Sequence, residues 1–279
     1  MERLRLENLI VLDNIELHAA PSPLLPEVLA VYERDGFVRL KDFFSAKLLE
    51  RYAREITAEV LRRNDQVLPL DQRDTYHKAF LQVTNLWRTN DIVKEFVFGK
   101  RLASIAAQLL RVPRVRLYHD QALYKEPGGG RTPWHADQFY WPLDSDKTIT
   151  VWIPLQETPL AMGPIAFAAG SQKMTAGRDL EISDESDRAV RKAIEAGRYR
   201  LDAEPFELGE VSFHSGWTFH HTEPNRTGLP RAAMTIIYMA DGIRLTEPAR
   251  EQHRQDWKAF MPGAEPGEVV DSPLNPVLN

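Results

Sequence analysis

Residues 132–137 read Thr-Pro-Trp-His-Ala-Asp, and residues 219–227 read Phe-His-His-Thr-Glu-Pro-Asn-Arg-Thr. Both stretches lie in a β-rich part of the chain, and in an extended segment side chains two residues apart point to the same face. The first stretch therefore puts the imidazole of His135 beside the carboxylate of Asp137. The second ends in a turn signal and supplies another imidazole, from His220 or His221. A His-x-Asp pair arises easily by chance, so the second stretch is what makes it a candidate metal site.

The chain around these stretches, from Pro113 onwards, consists of short β-rich runs separated by proline and glycine. Strands at this density are typical of a sandwich or barrel. The predicted strands are Val115 to Lys125, Thr148 to Leu155, Ile165 to Ala168, Val211 to Phe213, Thr218 to Thr222 and Ala232 to Met239. A charged, helix-forming segment from Ser183 to Tyr199 interrupts them as an insertion of the kind that often forms a lid.

The part of the chain before Pro113 has a helical pattern instead. Apolar residues recur at spacings of three and four over residues 46–63, with Ser45 placed as the N-cap, which predicts an amphipathic helix. Three further elements are expected here: a helix over 24–34, a strand over 36–40, and a helical stretch over 91–110 that breaks near Gly99.

These patterns predict a single domain over residues 1–279 that is mainly β with α additions. Its parts are a helical N-terminal part over 1–112, a barrel core over 113–245 with an insertion over 173–205, and a C-terminal tail over 246–279. The prolines of the tail predict an extended wrap or partial disorder.

The composition excludes several classes of protein. No cysteine is present, which rules out disulfides, zinc ribbons, thiol nucleophiles and iron–sulfur clusters and leaves His, Asp and Glu as the strong metal ligands. Thirty-five basic and forty acidic residues, without a basic run, argue against nucleic acid as a partner. No apolar run reaches the ~18 to 20 residues of a membrane span, and charges are scattered through Met1 to Leu17, unlike a signal peptide. A cytoplasmic location is therefore expected.

Two histidines and one carboxylate on one face of a metal leave three coordination positions open, which is the facial triad of non-haem Fe(II) oxygenases. A bidentate 2-oxo acid takes two of these positions and dioxygen the third. The far carboxylate of the 2-oxo acid then needs a fixed cation, and the planar fork of arginine matches it. Arg231 is the candidate, and the hydroxyl of Thr222, on the same face as His220, is placed to donate to that carboxylate.

The chain resembles the phytanoyl-CoA dioxygenase (PhyH) family of Fe(II)/2-oxoglutarate-dependent oxygenases over about residues 26–240. The motifs that carry the resemblance are Tyr32-x-x-Asp35-Gly36-Phe37-Val38, Lys125-x-Pro127-Gly128 ahead of His135-x-Asp137, Met162-Gly163-Pro164 leading to Ala169-Gly170-Ser171, and His220-x-Thr222-x-x-Asn225 with Arg231 six residues later. The resemblance implies a double-stranded β-helix, a jelly-roll or cupin-like barrel with the N-terminal helices packed on it. The family often has Asn-Gly-Pro and Ser-His where this chain has Met162-Gly163-Pro164 and Ser171-Gln172, and neither position is a metal ligand.

The resemblance also implies an Fe(II) site and a 2-oxoglutarate site, with O2 as co-substrate and no catalytic residue beyond the iron ligands. The implied iron ligands are His135, Asp137 and His220, and the implied 2-oxoglutarate residues are Arg231, Thr222 and Gln121. His221 is the competing ligand, but the family's distal histidine lies five residues before the asparagine, which selects His220. His214 is expected to be a packed or hydrogen-bonded strand residue.

Six residues are candidates for the substrate pocket: Trp141, Lys125, Phe139, Lys78, Arg88 and Trp152. Aromatic residues of a β-sandwich are more often core, and charged loop residues are more often solvated, so both alternatives stay open for each. The loops over 66–90 and 175–200 carry an amphipathic mix that suits a small organic molecule with an apolar body and an acidic or polar handle.

The activity implied by the resemblance is oxidative decarboxylation of 2-oxoglutarate to succinate and CO2, coupled to attack on an unactivated C–H bond. Hydroxylation is the default outcome. The carboxylate of Asp137 argues against halogenation, because related halogenases have a small residue in its place. Desaturation, cyclisation or epimerisation in natural-product biosynthesis are alternatives with the same cofactors. A cupin-like metalloenzyme and a binding protein, neither using 2-oxoglutarate, are the rival hypotheses. The protein is expected to act on a small molecule as a monomer or homodimer.

Overall fold

The computed structural model describes residues 15–279. Residues 1–14 lie outside the described residues. They include the start of the predicted helical part and most of the Met1 to Leu17 segment, whose scattered charges are unlike a signal peptide. Seven helices of the described chain are α1 (Pro26–Asp35), α2 (Ala46–Arg63), α3 (Thr75–Ala79), α4 (Asp91–Val97), α5 (Lys100–Leu110), α6 (Asp184–Ala196) and α7 (Glu251–Phe260). No helix of residues 15–279 is long and apolar enough to cross a membrane.

Ten strands in the same part of the chain form two antiparallel sheets. The strands are β1 (Phe37–Leu40), β2 (Leu81–Thr84), β3 (Val115–Lys125), β4 (Thr132–His135), β5 (Thr148–Pro154), β6 (Ile165–Ala168), β7 (Leu201–Asp202), β8 (Val211–Ser215), β9 (His220–Thr222) and β10 (Arg231–Ala240). The major sheet has the order β1-β8-β5-β10-β3-β2, and the minor sheet has the order β4-β9-β6-β7. This is the predicted mainly β architecture with helical additions.

The two faces of the major sheet have different partners because its side chains alternate. On the outer face, Val151, Phe213 and Ile236 join one large apolar core with the helices α2, α4 and α5. The inner face meets the minor sheet, where the rings of Phe37 and Phe167 stack at 4.4 Å between centroids. The helices therefore support the major sheet from behind, and its inner face is left to line a cavity.

The helices of the N-terminal part follow from local sequence. The Oγ of Ser45 accepts a hydrogen bond from the backbone of Leu48, which caps α2 at the predicted residue. The predicted helical stretch over 91–110 is indeed two helices, separated at Phe98 and Gly99. In the insertion, Ser183 forms a capping box with Ser186 at the start of α6. Helix α6 packs through Val190 and Ile194 onto the minor sheet and belongs to a buried cluster there.

The tail differs from its expectation. Residues 251–260 form the helix α7, so the prediction of an extended or partly disordered tail is wrong for this segment. Prolines at 248 and 262 flank the helix and do not interrupt it. The final residues do run extended along the barrel: the side-chain amide of Asn275 donates to the carbonyl oxygens of Leu117 and Tyr118, and Val277 bridges to Arg116.

Candidate metal centre and substrate cavity

Three ligand side chains meet at one end of the minor sheet. In the pairing of β4 with β9, His135 lies directly opposite His220, and their rings are 4.2 Å apart. Asp137 follows β4 at the start of a 3-10 turn over Asp137–Tyr140, which brings its carboxylate back towards both rings. Its Oδ1 lies 3.7 Å from Nε2 of His135 and 3.6 Å from Nε2 of His220. The candidate ligand atoms of this group all lie within 4.8 Å of one another, a suitable spacing for one metal ion.

The two imidazoles are oriented by the backbone. Nδ1–H of His135 donates to the carbonyl oxygen of Pro133 (2.8 Å), and Nδ1–H of His220 donates to that of Thr218 (3.0 Å). Each bond leaves Nε2 as the lone pair that points to the centre, as is usual for metal-binding histidines. Burial lowers the pKa of both rings to about 4, so both are neutral at pH 7 and ready to coordinate.

The carboxylate of Asp137 is held by its second oxygen. Oδ2 accepts a hydrogen bond from Oγ1 of Thr150 (2.9 Å) and lies 3.3 Å from Nε2 of His214. Burial works against the charge, but the imidazoles of His220 and His214 outweigh it and hold the pKa of this carboxyl below its ordinary value. Oδ1 is therefore free to serve as the third ligand.

The neighbouring histidine points the other way. His221 lies on the opposite face of β9, where its ring packs 4.1 Å from that of Trp134. Alternation along the strand thus separates the two adjacent histidines, as the spacing argument predicts. His214, expected as a packed strand residue, is buried on β8 and in addition touches Asp137.

Arg231 begins β10 and is buried in the cavity wall. Its Nη1 donates to the carbonyl oxygen of Gly163 (3.1 Å) and its Nη2 reaches that of Leu123 (3.4 Å), while Nε is unpaired. Among residues 15–279, no carboxylate lies within 4.0 Å of the guanidinium. Since a buried charge is costly without a counter-charge, this arginine fits an anionic ligand in the cavity.

The other two predicted 2-oxoglutarate residues also line the cavity. Oγ1 of Thr222 donates to Oγ1 of Thr132 (2.8 Å), and the side-chain oxygen of Gln121 accepts a short hydrogen bond from Nε2 of Gln82. The structure therefore brings Arg231, Thr222 and Gln121 to the same cavity as the triad.

The cavity has a volume of about 910 Å³ and extends from the triad to the protein surface. Of the predicted pocket residues, Trp141 and Trp152 line it, whereas the others do not. Phe139 lines a smaller neighbouring cavity, and Arg88 is exposed elsewhere on the surface. Lys125 is fully buried and donates a short hydrogen bond to the carbonyl oxygen of Gly130, so it braces the turn after β3.

The family model of phytanoyl-CoA dioxygenase (PhyH) matches residues 32–233. The chain belongs to this family. The family resemblance predicted from the sequence is thereby confirmed, together with an iron- and 2-oxoglutarate-dependent dioxygenase activity. The nitrogen and oxygen donors of the triad, and the buried guanidinium of Arg231 with its unpaired Nε, fit these two cofactors.

Two relatives of this PhyH-family chain have named activities. A probable alpha-ketoglutarate-dependent hypophosphite dioxygenase of Stutzerimonas stutzeri is 24% identical over 222 residues, which is 75% of this chain and 76% of the relative. A 1-deoxypentalenic acid 11-beta-hydroxylase of Streptomyces exfoliatus is 25% identical over 271 residues, which is 89% of each chain.

Solved structures show the same fold. The epimerase SnoN, in complex with Fe3+, alpha ketoglutarate and nogalamycin RO, superposes with a TM-score of 0.75 at 22% identity, over 91% of this chain and 98% of that one. EctD from S. alaskensis, with 2-oxoglutarate and 5-hydroxyectoine, gives 0.69 at 20% identity, over 92% and 91%. The predicted double-stranded β-helix is confirmed.

The sequence argument missed three parts of the site. Thr150 and His214 hold Asp137, but each comes from a strand that contains several polar residues, and nothing local marks them. The part of the cavity wall formed by α7 was missed, because the prolines around this helix suggested an extended tail. The available signal was the proline-free segment between Pro248 and Pro262, which is long enough for the ten residues of α7.

Proposed function

We propose that this protein hydroxylates an unactivated C–H bond of a small organic molecule, with His135, Asp137 and His220 as the Fe(II) ligands and Arg231 as the residue that binds the far carboxylate of 2-oxoglutarate. The observation that carries the proposal is one cavity that holds the triad and, on its wall, a buried arginine without a counter-charge. Hydroxylation is supported by the hydroxylase of Streptomyces exfoliatus among the relatives.

Iron, 2-oxoglutarate and dioxygen supply the oxidant for the C–H bond, and 2-oxoglutarate leaves as succinate and CO2. The chain's own residues orient the reactants. Thr150 and His214 keep Asp137 turned so that Oδ1 faces the two histidines. Gly163 and Leu123 fix the guanidinium of Arg231 through its Nη atoms, which leaves Nε without a protein partner.

The part of the cavity around the triad and Arg231 has aromatic and aliphatic side chains in its wall. Trp152 lines the cavity together with the triad and Arg231, and the guanidinium lies 5.6 Å from its ring centroid. Ile165 and Ile237 add aliphatic surface on the two sheets. Arg231 itself is buried, and the low local dielectric constant around a buried group strengthens its ion pair with a bound carboxylate.

The decisive experiment adds Fe(II) and then 2-oxoglutarate without oxygen and records the weak visible charge-transfer band. For Arg231→Ala we expect the 2-oxoglutarate affinity to fall by about 100-fold, since truncating one partner of a buried charge pair costs several kcal/mol. Arg226→Ala is the matched control, because Arg226 is exposed and lies outside the cavity. Unchanged 2-oxoglutarate affinity in Arg231→Ala would count against the assignment and favour a metalloenzyme that does not use this co-substrate.

A cytoplasmic location and a monomeric or homodimeric state stay predictions. The same holds for the absence of nucleic acid and membrane partners. Size-exclusion chromatography with light scattering checks the oligomeric state directly.

A further inference from the structure

One wall of the cavity is formed by α7, which comes later in the sequence than all three triad residues. Gln252, Gln255, Asp256, Ala259 and Phe260 of this helix line the cavity. Phe260 stacks on the ring of His119 at 4.0 Å between centroids, which fixes the helix against the inner face of the major sheet. Helix α7 therefore presents polar side chains to whatever occupies the space above the triad.

Asp256 stands out among these side chains. Its Oδ2 accepts a hydrogen bond from the hydroxyl of Tyr118 (2.8 Å), whereas its Oδ1 accepts none from residues 15–279. No lysine, arginine or histidine of the described chain lies within 4.0 Å of the carboxylate. Burial raises the pKa of Asp256 to about 7 against the hydrogen bond from Tyr118, and the negative charge of Asp137 adds to the rise. A carboxylate in this position gains most from a cation brought by a ligand.

The charges around Asp256 point to the same kind of ligand. The cavity lining contains no lysine, and its one arginine, Arg231, lies at the inner end. Two other carboxylates at the outer end have local partners: Asp74 caps α3 and contacts His77, and Asp184 accepts a hydrogen bond from Thr75. A third, Glu181, is exposed, so its charge is solvated. The outer wall also carries aromatic side chains, Tyr76, Phe80, Tyr140 and Trp141, whose faces attract cations.

We propose that Asp256 is a specificity-determining residue that binds a cationic nitrogen of the substrate, an ammonium, amidinium or guanidinium group with N–H donors. The inference rests on the proposed function, because it takes the cavity above the triad as the substrate site. The loops over 66–90 and 175–200 predict an acidic or polar handle instead, but Lys78 and Arg88, the basic candidates for binding it, do not line the cavity. The substrate class is then an organic amine or related base with an apolar body.

The test compares an amine with its alcohol on two skeletons: cyclohexylmethylamine with cyclohexylmethanol, and tryptamine with tryptophol. Binding to the protein loaded with Fe(II) and 2-oxoglutarate is measured without oxygen by ligand-observed NMR titration. We expect the amines to bind about tenfold or more tightly than the alcohols, as is usual for a charge-assisted hydrogen bond. In Asp256→Asn we expect the amines to lose about tenfold in affinity and the alcohols almost none.

Glu251→Gln is the matched control, because it makes the same charge change on the same helix at an exposed residue outside the cavity. Equal or undetectable binding of amines and alcohols by the wild type overturns the inference. So does an Asp256→Asn protein with unchanged amine affinity, or an equal loss in Glu251→Gln.

The charge-transfer band and the melting temperature are recorded on the same samples. Absence of the band in the wild type overturns the proposed function as well, whereas a normal band with unchanged amine affinity in Asp256→Asn refutes only the role of Asp256.

Discussion

The inner and outer ends of the cavity are built in different ways. At the inner end, the triad and Arg231 lie on or directly after paired strands, and the register of β4 with β9 fixes His135 opposite His220. At the outer end, the walls come from the helices α3 and α7 and the segment over 181–184, which meet only through tertiary packing. Strand register thus places the candidate iron and 2-oxoglutarate residues, while helices and loops form the proposed substrate site.

The largest effect is expected at the inner end, where two adjacent histidines have opposite roles. His220→Ala should lose 2-oxoglutarate turnover to background, because it removes a ligand from the triad. His221→Ala is the matched control: it removes a buried ring beside Trp134, so it should lower the melting temperature but keep most of the turnover. Succinate formation and thermal unfolding measure the two effects. Loss of the charge-transfer band in His221→Ala alone would reverse the assignment.

At the outer end, Phe260→Ala should lower the free energy of unfolding by about 3 kcal/mol, because it deletes a buried ring that anchors α7. The affinity for Fe(II) and 2-oxoglutarate should be preserved, since the triad lies on other elements. Lys258→Ala, exposed on the same helix, should change neither quantity. Denaturant unfolding and the anaerobic titration give the measurements, and a parallel loss of Fe(II) affinity in Phe260→Ala would show that the two ends are not independent.

A smaller effect is expected for the support of Asp137. Thr150→Val keeps the shape of the side chain but removes the hydrogen bond to Oδ2, and Fe(II) affinity should fall about 10- to 100-fold. Thr235→Val is the control, because Thr235 lines the same cavity and bonds only to the carbonyl oxygen of Gln121. Competition with a chelator measures both affinities, and equal values for the two variants would mean that His214 suffices.

The smallest effect is expected on the pH dependence of the free energy of unfolding. Burial raises the pKa of Asp256 from the ordinary value of 3.8 to about 7 in the folded protein. The carboxyl group therefore stays protonated to a higher pH in the folded protein than in the unfolded chain. The wild type should therefore lose stability relative to Asp256→Asn as the pH rises from about 4 to 7, with a slope of at most about 1.4 kcal/mol per pH unit. Unfolding curves at several pH values check this, and a constant difference would show that Asp256 ionises normally.

The sequence predicts features that depend on neighbouring residues, but not contacts between residues far apart in the chain. Helix α2 and strands β3 and β6 have the predicted bounds, because capping, apolar period and β-branched runs are local signals. The family resemblance selects His220 over His221 by its spacing to Asn225, and strand alternation, which is also a local signal, agrees. Thr150, His214 and Asp256 could not be found in this way, since each acts through a partner far along the chain, and many residues of the same type have no such partner.

The pairings that join distant parts of the chain should also affect the rate at which the protein folds. His135 meets His220 only when β4 and β9 pair, and the last residues pack on β3 through Asn275 and Val277. Contacts of such long sequence separation form late and make folding slow. In a partly folded chain, His135 and His220 are therefore apart, and Fe(II) finds only single ligands there. Added Fe(II) should slow unfolding and raise the melting temperature by mass action, without accelerating the folding of the barrel that binds it.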